Sequence, residues 1–237
     1  MQKTYRKTYQ ITTNMLDCHD CLKMSTLLDV AQEVAGDHAE ELGCGFETMI
    51  KQDLIWVIVR NYVEIIKKPI NFKEIEVVTY PLKPRFVEFN RETEFYHNGE
   101  LFAVSRSTWM VINIKDFSVK APDFFKGFDD DLGYFKRRIR KLPVIEKSQL
   151  QKVKEVDVLY SMLDHNGHMN NTKYVDFYLD IFRPEFSVKT LQIEYIKQSF
   201  LNDKLSLYIK ENEGKRYLSG YKDDELKFYM ECEEFKE

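Results

Sequence analysis

Residues 14–33 (NMLDCHDCLKMSTLLDVAQE) and 161–180 (SMLDHNGHMNNTKYVDFYLD) align without a gap. A segment that occurs twice at long spacing points to two copies of one structural unit. Met15/Met162, Leu16/Leu163, Asp17/Asp164 and Asp29/Asp176 are identical pairs; Leu22/Met169, Ser25/Thr172, Leu28/Val175 and Glu33/Asp180 are similar ones. From the first copy onward, Leu27, Leu28, Ala31, Val34, Ala35, His38 and Leu42 recur at three- and four-residue steps, which predicts an amphipathic helix. Ser25 or Thr26 can cap its start, and Gly43 or Gly45 can end it. In the second copy Tyr174, Phe177, Tyr178 and Ile181 show the same spacing, and Pro184 stops it.

Each helix gives way to segments rich in β-branched and aromatic residues, which read as strands. They cover roughly 55–66, 74–80, 86–96 and 101–114 in the first half, and 190–199, 204–211, 215–221 and 225–235 in the second. His97-Asn98-Gly99-Glu100 and Lys222-Asp223-Asp224-Glu225 read as hairpin turns. The expected fold class is α+β, in which each half packs one helix across a curved antiparallel sheet so that both bury an apolar face. The expected boundaries are a domain over 1–125, a charged linker over 126–150 and a domain over 151–237. The linker holds Asp129-Asp130-Asp131 and the basic run FKRRIRKLP.

Composition narrows the functional classes. The 35 Lys+Arg against 39 Asp+Glu leave a net charge of −4, so no global positive field exists to neutralise nucleic-acid phosphates. No apolar run approaches the ~18 residues of a membrane span. The opening MQKTYRKTYQITTNML lacks the apolar stretch of a secretory signal. Four cysteines are too few for a disulfide framework in 237 residues; reduced thiols in a cytoplasm are expected. The oligomeric state stays open, with a homodimer as one option.

The second copy places Asp164, His165, Asn166, His168, Asn170 and Asn171 just before its helix. A helix N-terminus offers unpaired N–H groups to a developing oxyanion. If the stretch is extended, Asp164, Asn166 and His168 point the same way. A carboxylate, an amide and an imidazole converging there make a hydrolytic site; the same residues also serve as ordinary turn and cap formers. The first copy has His19 and Cys21 where the second has Asn166 and His168, so it reads as scaffold.

Cys18-His19-Asp20-Cys21 invites a metal or redox reading, but zinc needs two further ligands, and neither His38 nor Cys44 lies at a diagnostic spacing. No metal and no cofactor are expected. The cluster Lys136, Arg137, Arg138, Arg140 and Lys141 suits either a solvated linker or the docking of an acidic partner. No Gly-rich phosphate loop, GxSxG elbow or HExxH occurs.

The segment Asn166-Gly167-His168-Met169-Asn170-Asn171-Thr172-Lys173-Tyr174 resembles the N-x-H-x-N-N-x-K-Y signature of plant and bacterial acyl-ACP thioesterases. Thr79-Tyr80-Pro81, the SRSTWMVIN of 105–113 and Glu194-Tyr195 resemble further motifs of that family, so the resemblance covers nearly the whole chain. It implies a tandem of two hotdog domains and hydrolysis of fatty acyl-ACP to free acid and carrier protein. It also implies active-site roles for Asp164, Asn166 and His168. The family's remaining acidic residue falls on Gln198, and its neighbouring Cys falls on Ser199, so no cysteine nucleophile is available there.

The implied partner is an acidic acyl carrier protein bearing a fatty acyl chain. In the expected mechanism Asp164, aided by His168, activates or orients water. Asn166 and helix N-terminal amides hold the carbonyl, while Gln198 orients the water without taking its proton. A non-catalytic acyl-thioester sensor on the same fold is the alternative, and a hotdog dehydratase is a third reading that the signature disfavours.

Overall fold

The computed structural model describes residues 4–124, 133–183 and 188–235. Asp129-Asp130-Asp131 and Pro184 lie outside them. The chain divides into two compact units, Met1–Ile139 and Arg140–Glu237.

The first unit runs β1 (Tyr5–Gln10), α1 (Met24–Glu41), α2 (Phe46–Ile50), β2 (Leu54–Ile65), β3 (Glu74–Pro81), β4 (Phe89–His97), β5 (Glu100–Asn113) and the short β6 (Val119–Lys120). Its strands are antiparallel in the order β1-β3-β4-β5-β2, with β6 paired to β5. The second runs β7 (Gln151–Asp157), α3 (Lys173–Phe182), β8 (Val188–Tyr195), β9 (Lys204–Asn212), β10 (Lys215–Lys222) and β11 (Glu225–Glu234). Its order, β7-β9-β10-β11-β8, is the same topology strand for strand. Asn98 (φ 50°) and Gly99 (φ 78°) make the tight β4–β5 turn, where both residues need left-handed backbone.

Three strands were not foreseen: β1, β7 and the short β6. β1 alternates half-buried and exposed residues and pairs with β3. β7 (QKVKEVD) is exposed along almost its whole length and exists because β9 supplies its hydrogen bonds, as suits a charged edge strand. α1 also starts earlier than expected. Lys23 occupies the N-cap without a side-chain bond, Ser25 and Thr26 are buried inside the helix, and the Thr26 hydroxyl donates instead to the Met15 carbonyl. Gly43, at φ 72°, follows the helix end as expected.

Successive residues of a strand point to opposite faces, and β4 shows what covers each face. Arg91 is buried on the α1 side, donating to His38 Nδ1 (3.0 Å) and Thr79 Oγ1 (3.3 Å); burial pushes its guanidinium down to about 10. Glu92 points the other way, where one carboxylate oxygen accepts from Arg106 Nε (2.8 Å) and the other from the Tyr134 N–H (2.8 Å). Arg106 then donates to the carbonyls of Arg137 (2.8 Å) and Phe135 (2.9 Å), and Arg60 to that of Ile139 (3.2 Å). Phe135 and Ile139 bury against Tyr62 and Val104. Gly133 is required here, because a Cβ would sit 2.0 Å from the Glu92 carboxylate. The described part of the expected linker is therefore a strap fixed to the sheet, with Lys136, Arg137 and Arg138 exposed between its two anchors.

The second unit repeats the plan. Phe228 packs toward α3, with its ring centroid 4.8 Å from that of Tyr174. The next residue, Tyr229, donates to the Leu142 carbonyl (2.8 Å). Gln192 donates to the Arg140 carbonyl (2.7 Å), and the buried Glu194 accepts from the Leu142 N–H (3.0 Å). Lys147 lies over the Tyr208 and Tyr221 rings (5.1 and 4.8 Å) and pairs with Asp224. No helix among the described residues is long and apolar enough to cross a membrane.

Candidate active site

The polar segment of the second copy folds as a tight loop, so of the two readings left open it is the turn-forming one that holds. A 3-10 turn over Tyr160–Met162 leads into it, and Leu163 bridges Met169 across its base. The Asp164 N–H donates to the His168 carbonyl (2.8 Å), and the Gly167 N–H donates back to the Asp164 carbonyl (3.1 Å). Gly167 takes φ 78° to close the turn. Asp164 Oδ1 then accepts from the N–H groups of Asn166 (2.8 Å) and His168 (3.2 Å). The carboxylate is thus the staple of the loop as well as a candidate catalytic group. Asn166 is exposed, and Asp164 and His168 are half-buried.

The facing segment is 196–200. His168 forms an isolated bridge with Phe200, and their rings meet edge to face at 5.1 Å. The Met169 N–H donates to the Ser199 carbonyl (2.8 Å). The expected strand 190–199 ends at Tyr195, because Ile196 and Lys197 both donate to the Lys227 carbonyl (2.9 and 3.1 Å) and the chain turns out of the ladder. Gln198 is exposed on that segment, and Ser199 is buried. Burial pushes the Tyr174 phenol up. Asp164, Asn166, His168 and Gln198 therefore lie on two touching loops.

The helix start is occupied differently from the expectation. Asn170 Oδ1 accepts from the Thr172 N–H and hydroxyl (both 3.0 Å), and the Asn170 carbonyl accepts from the Lys173 N–H (2.9 Å). Two amides at this end of α3 are thus already bound and are not free to hold a carbonyl. Tyr195 donates to the Asn171 carbonyl (2.9 Å), which fixes the link between loop and helix.

The first unit provides an internal comparison. Asp17 Oδ1 accepts from His19 N–H (2.8 Å) and Cys21 N–H (3.0 Å), and the Asp17 N–H donates to the Cys21 carbonyl (2.8 Å). Leu16 bridges Leu22, Cys21 bridges Ile70, and Leu22 N–H donates to the Pro69 carbonyl (3.0 Å). The facing segments also repeat: 64–71 (EIIKKPIN) aligns with 194–201 (EYIKQSFL), with Glu64/Glu194, Ile66/Ile196 and Lys67/Lys197 identical. That second match is the signal that would have tied the Gln198 segment to the Asp164 loop from sequence.

Cys21, at the place of His168, is buried, and burial pushes its thiol up to about 11, so it carries no nucleophilic thiolate at neutral pH. Cys18 is exposed, and His38 is turned to Arg91. No group of three or more His, Cys, Asp or Glu side chains suited to a metal ion occurs among the described residues.

Two antiparallel units that share one five-strand topology, the first with the short β6 added, each with a helix against its sheet, define a tandem hotdog protein of the α+β class. Residues 2–121 match the acyl-ACP thioesterase N-terminal domain, and residues 145–231 match the acyl-ACP thioesterase C-terminal domain. The chain belongs to the acyl-ACP thioesterase family.

Two solved structures share the fold. One is an acyl-ACP thioesterase from Bacteroides thetaiotaomicron, 21% identical with a TM-score of 0.90, covering 98% of each chain. The other is the 12:0-ACP thioesterase from Umbellularia californica, 20% identical with a TM-score of 0.86, covering 100% of this chain and 99% of that one. A chloroplast acyl-[acyl-carrier-protein] hydrolase from Cuphea viscosissima is 25% identical over 213 residues, which is 82% of this chain and 52% of that protein. The chain spans about half the length of the first curated relatives it matches.

Proposed function

We propose that this protein hydrolyses fatty acyl thioesters held on an acyl carrier protein, releasing the free acid and the carrier thiol. The observation that carries this reading is the meeting of the Asp164–Asn166–His168 loop with the Gln198 segment, in a chain whose two halves both match the family. The names of the relatives, which describe acyl-ACP hydrolases and thioesterases, support it.

In this mechanism His168 takes a proton from water as the water oxygen attacks the thioester carbonyl carbon. Asp164 Oδ1 is spent on the loop, so Oδ2 is the atom left to orient that water or the imidazole. The exposed Asn166 amide donates to the carbonyl oxygen as it gains charge. When the tetrahedral intermediate collapses, the C–S bond breaks and the leaving thiolate recovers the proton. Gln198 can orient water but cannot accept its proton. The test is release of free thiol and fatty acid from acyl-ACPs of short to long chain, with His168→Ala as control. Turnover that persists in the control sinks the assignment.

The exposed Lys136, Arg137, Arg138, Arg140 and Lys141 support docking of an acidic carrier. Because Arg137 also donates to the Tyr62 hydroxyl (3.2 Å), the cleaner probe is Lys136→Glu with Arg138→Glu. These changes should raise KM for carrier-linked substrate more than for its coenzyme A counterpart; equal effects reject docking there. Four free cysteines support a reducing, cytoplasmic setting.

Gln198 specifically favours a second reading, a sensor that binds acyl thioester without turnover. Tight acyl-ACP binding with no product would select it, and Gln198→Glu should then start hydrolysis by restoring a carboxylate.

A further inference from the structure

Lys227 is a lysine in a core position. It lies on β11 with 5% of its surface exposed, and its ammonium donates to the Gln198 carbonyl (3.1 Å) and to the Glu225 carboxylate. Its backbone carbonyl accepts from Ile196 and Lys197 (2.9 and 3.1 Å), so three hydrogen bonds from one residue hold the loop that bears Gln198.

The first unit shows what this position holds when no Asn-x-His loop accompanies it. There Ile66 and Lys67 donate to the Phe102 carbonyl (2.8 and 3.1 Å), which makes Phe102 the counterpart of Lys227. Phe102 is 0% exposed and packs edge to face on Phe72 at 5.0 Å. The fold therefore accepts an aromatic residue at this point, and the backbone bonds form without a side-chain donor. An ammonium buried in its place is costly unless its partners repay desolvation. Only the unit with His168 carries it.

Resting on the thioesterase reading, we propose that Lys227 is a positioning residue of the site: its ammonium fixes the Gln198 carbonyl and so the placement of the 198–200 segment against His168. The path is short. Gln198 is held by Lys227, Ser199 receives the Met169 N–H, and Phe200 lies against the His168 ring. Glu225, pulled down to about 2 by Lys197 and Lys227, stays ionised and keeps the ammonium in place.

The experiment compares Lys227→Met, which fills the same space without charge, with Lys227→Arg. Each variant is read for kcat and KM on acyl-ACP and for hydrogen exchange of the 196–200 amides. Lys227→Met should lower kcat about 10- to 100-fold with KM nearly constant, the signature of a misplaced reacting group. It should also speed exchange at 196–200 while the β8 and β11 amides stay protected. Lys227→Arg should recover much of both.

A folded Lys227→Met with unchanged kcat and unchanged exchange overturns the proposal. So does a general loss of thermal stability, kcat and KM together that arginine fails to rescue, since that marks a purely structural residue. If the wild-type protein hydrolyses no acyl-ACP, the thioesterase reading fails. The exchange measurement then still decides whether Lys227 fixes the loop.

Discussion

Replacing Asp17 and Asp164 one at a time separates the two jobs that a carboxylate can do in this loop. Each accepts two backbone N–H groups through Oδ1, at 2.8 and 3.0 Å for Asp17 and at 2.8 and 3.2 Å for Asp164. Both side chains are half-buried. Losing a side-chain acceptor of this kind costs about 1–2 kcal/mol, the range found for helix caps. For a chain of this length that corresponds to a drop of about 3–6 °C in Tm. Asp17→Ala and Asp164→Ala should therefore destabilise about equally.

Activity should split them. Asp17→Ala should keep kcat within about twofold, because its loop carries Cys21 where the other carries His168. Asp164→Asn is the decisive variant, since the amide oxygen can still accept both N–H bonds while the charge is gone. If the carboxylate takes part in chemistry, kcat falls by about 10²–10⁴ at nearly unchanged Tm. Scanning calorimetry and thiol release measure both quantities. Full activity in Asp164→Asn refutes a chemical role for the carboxylate, and an unshifted Tm in Asp17→Ala refutes the stapling argument.

Arg106→Leu leaves Glu92 buried without its cation and should cost about 3–5 kcal/mol. It should also release the strap, seen as faster tryptic cleavage at 136–138; an unchanged cleavage rate would count against the anchor. Burial alone would raise the Asp203 carboxyl, but Lys222, the Phe200 N–H and the charge of Lys227 together hold it below the ordinary value. Its stabilisation is then complete above about pH 4 and lost as pH falls through the lower folded value. The stability gap between wild type and Asp203→Asn should accordingly be flat from about pH 5 to 8 and shrink in acid; a gap that widens in acid contradicts it. Iodoacetamide should modify the exposed Cys18 in the native protein and all four cysteines only after unfolding, because burial keeps Cys21 and Cys44 near 11. Rapid native labelling of Cys44 would show that unit open.

The duplicated unit, both long helices and eight strands were legible because they depend on local periodicity and a repeat. What failed depends on partners distant in sequence. β7 carries no apolar alternation and is made by β9. The Ser25/Thr26 cap failed because packing, not capping, decided where α1 begins. Asp164, Asn166 and His168 would share a direction only in an extended stretch; the other reading, turn formers, is what Gly167 and the carboxylate produce. The residues of the candidate site were proposed through a motif; the Lys227 and Tyr195 contacts behind them were not, since neither lies near the motif in sequence. Glu194 matched a family motif, yet it binds the strap.

The two staple loops also differ in aperture. The same turn, closed by the same carboxylate, ends at a sealed sulfur in one unit and at a half-open imidazole in the other. The first loop is a blank casting of the second. A graft of His19→Asn and Cys21→His would supply the side chains but press an imidazole into a buried space that now admits a thiol, opposite Ile70. Such a graft needs excavation before chemistry. The chain carries two turns stapled in one way, and the surrounding core decides which of them presents a side chain to solvent.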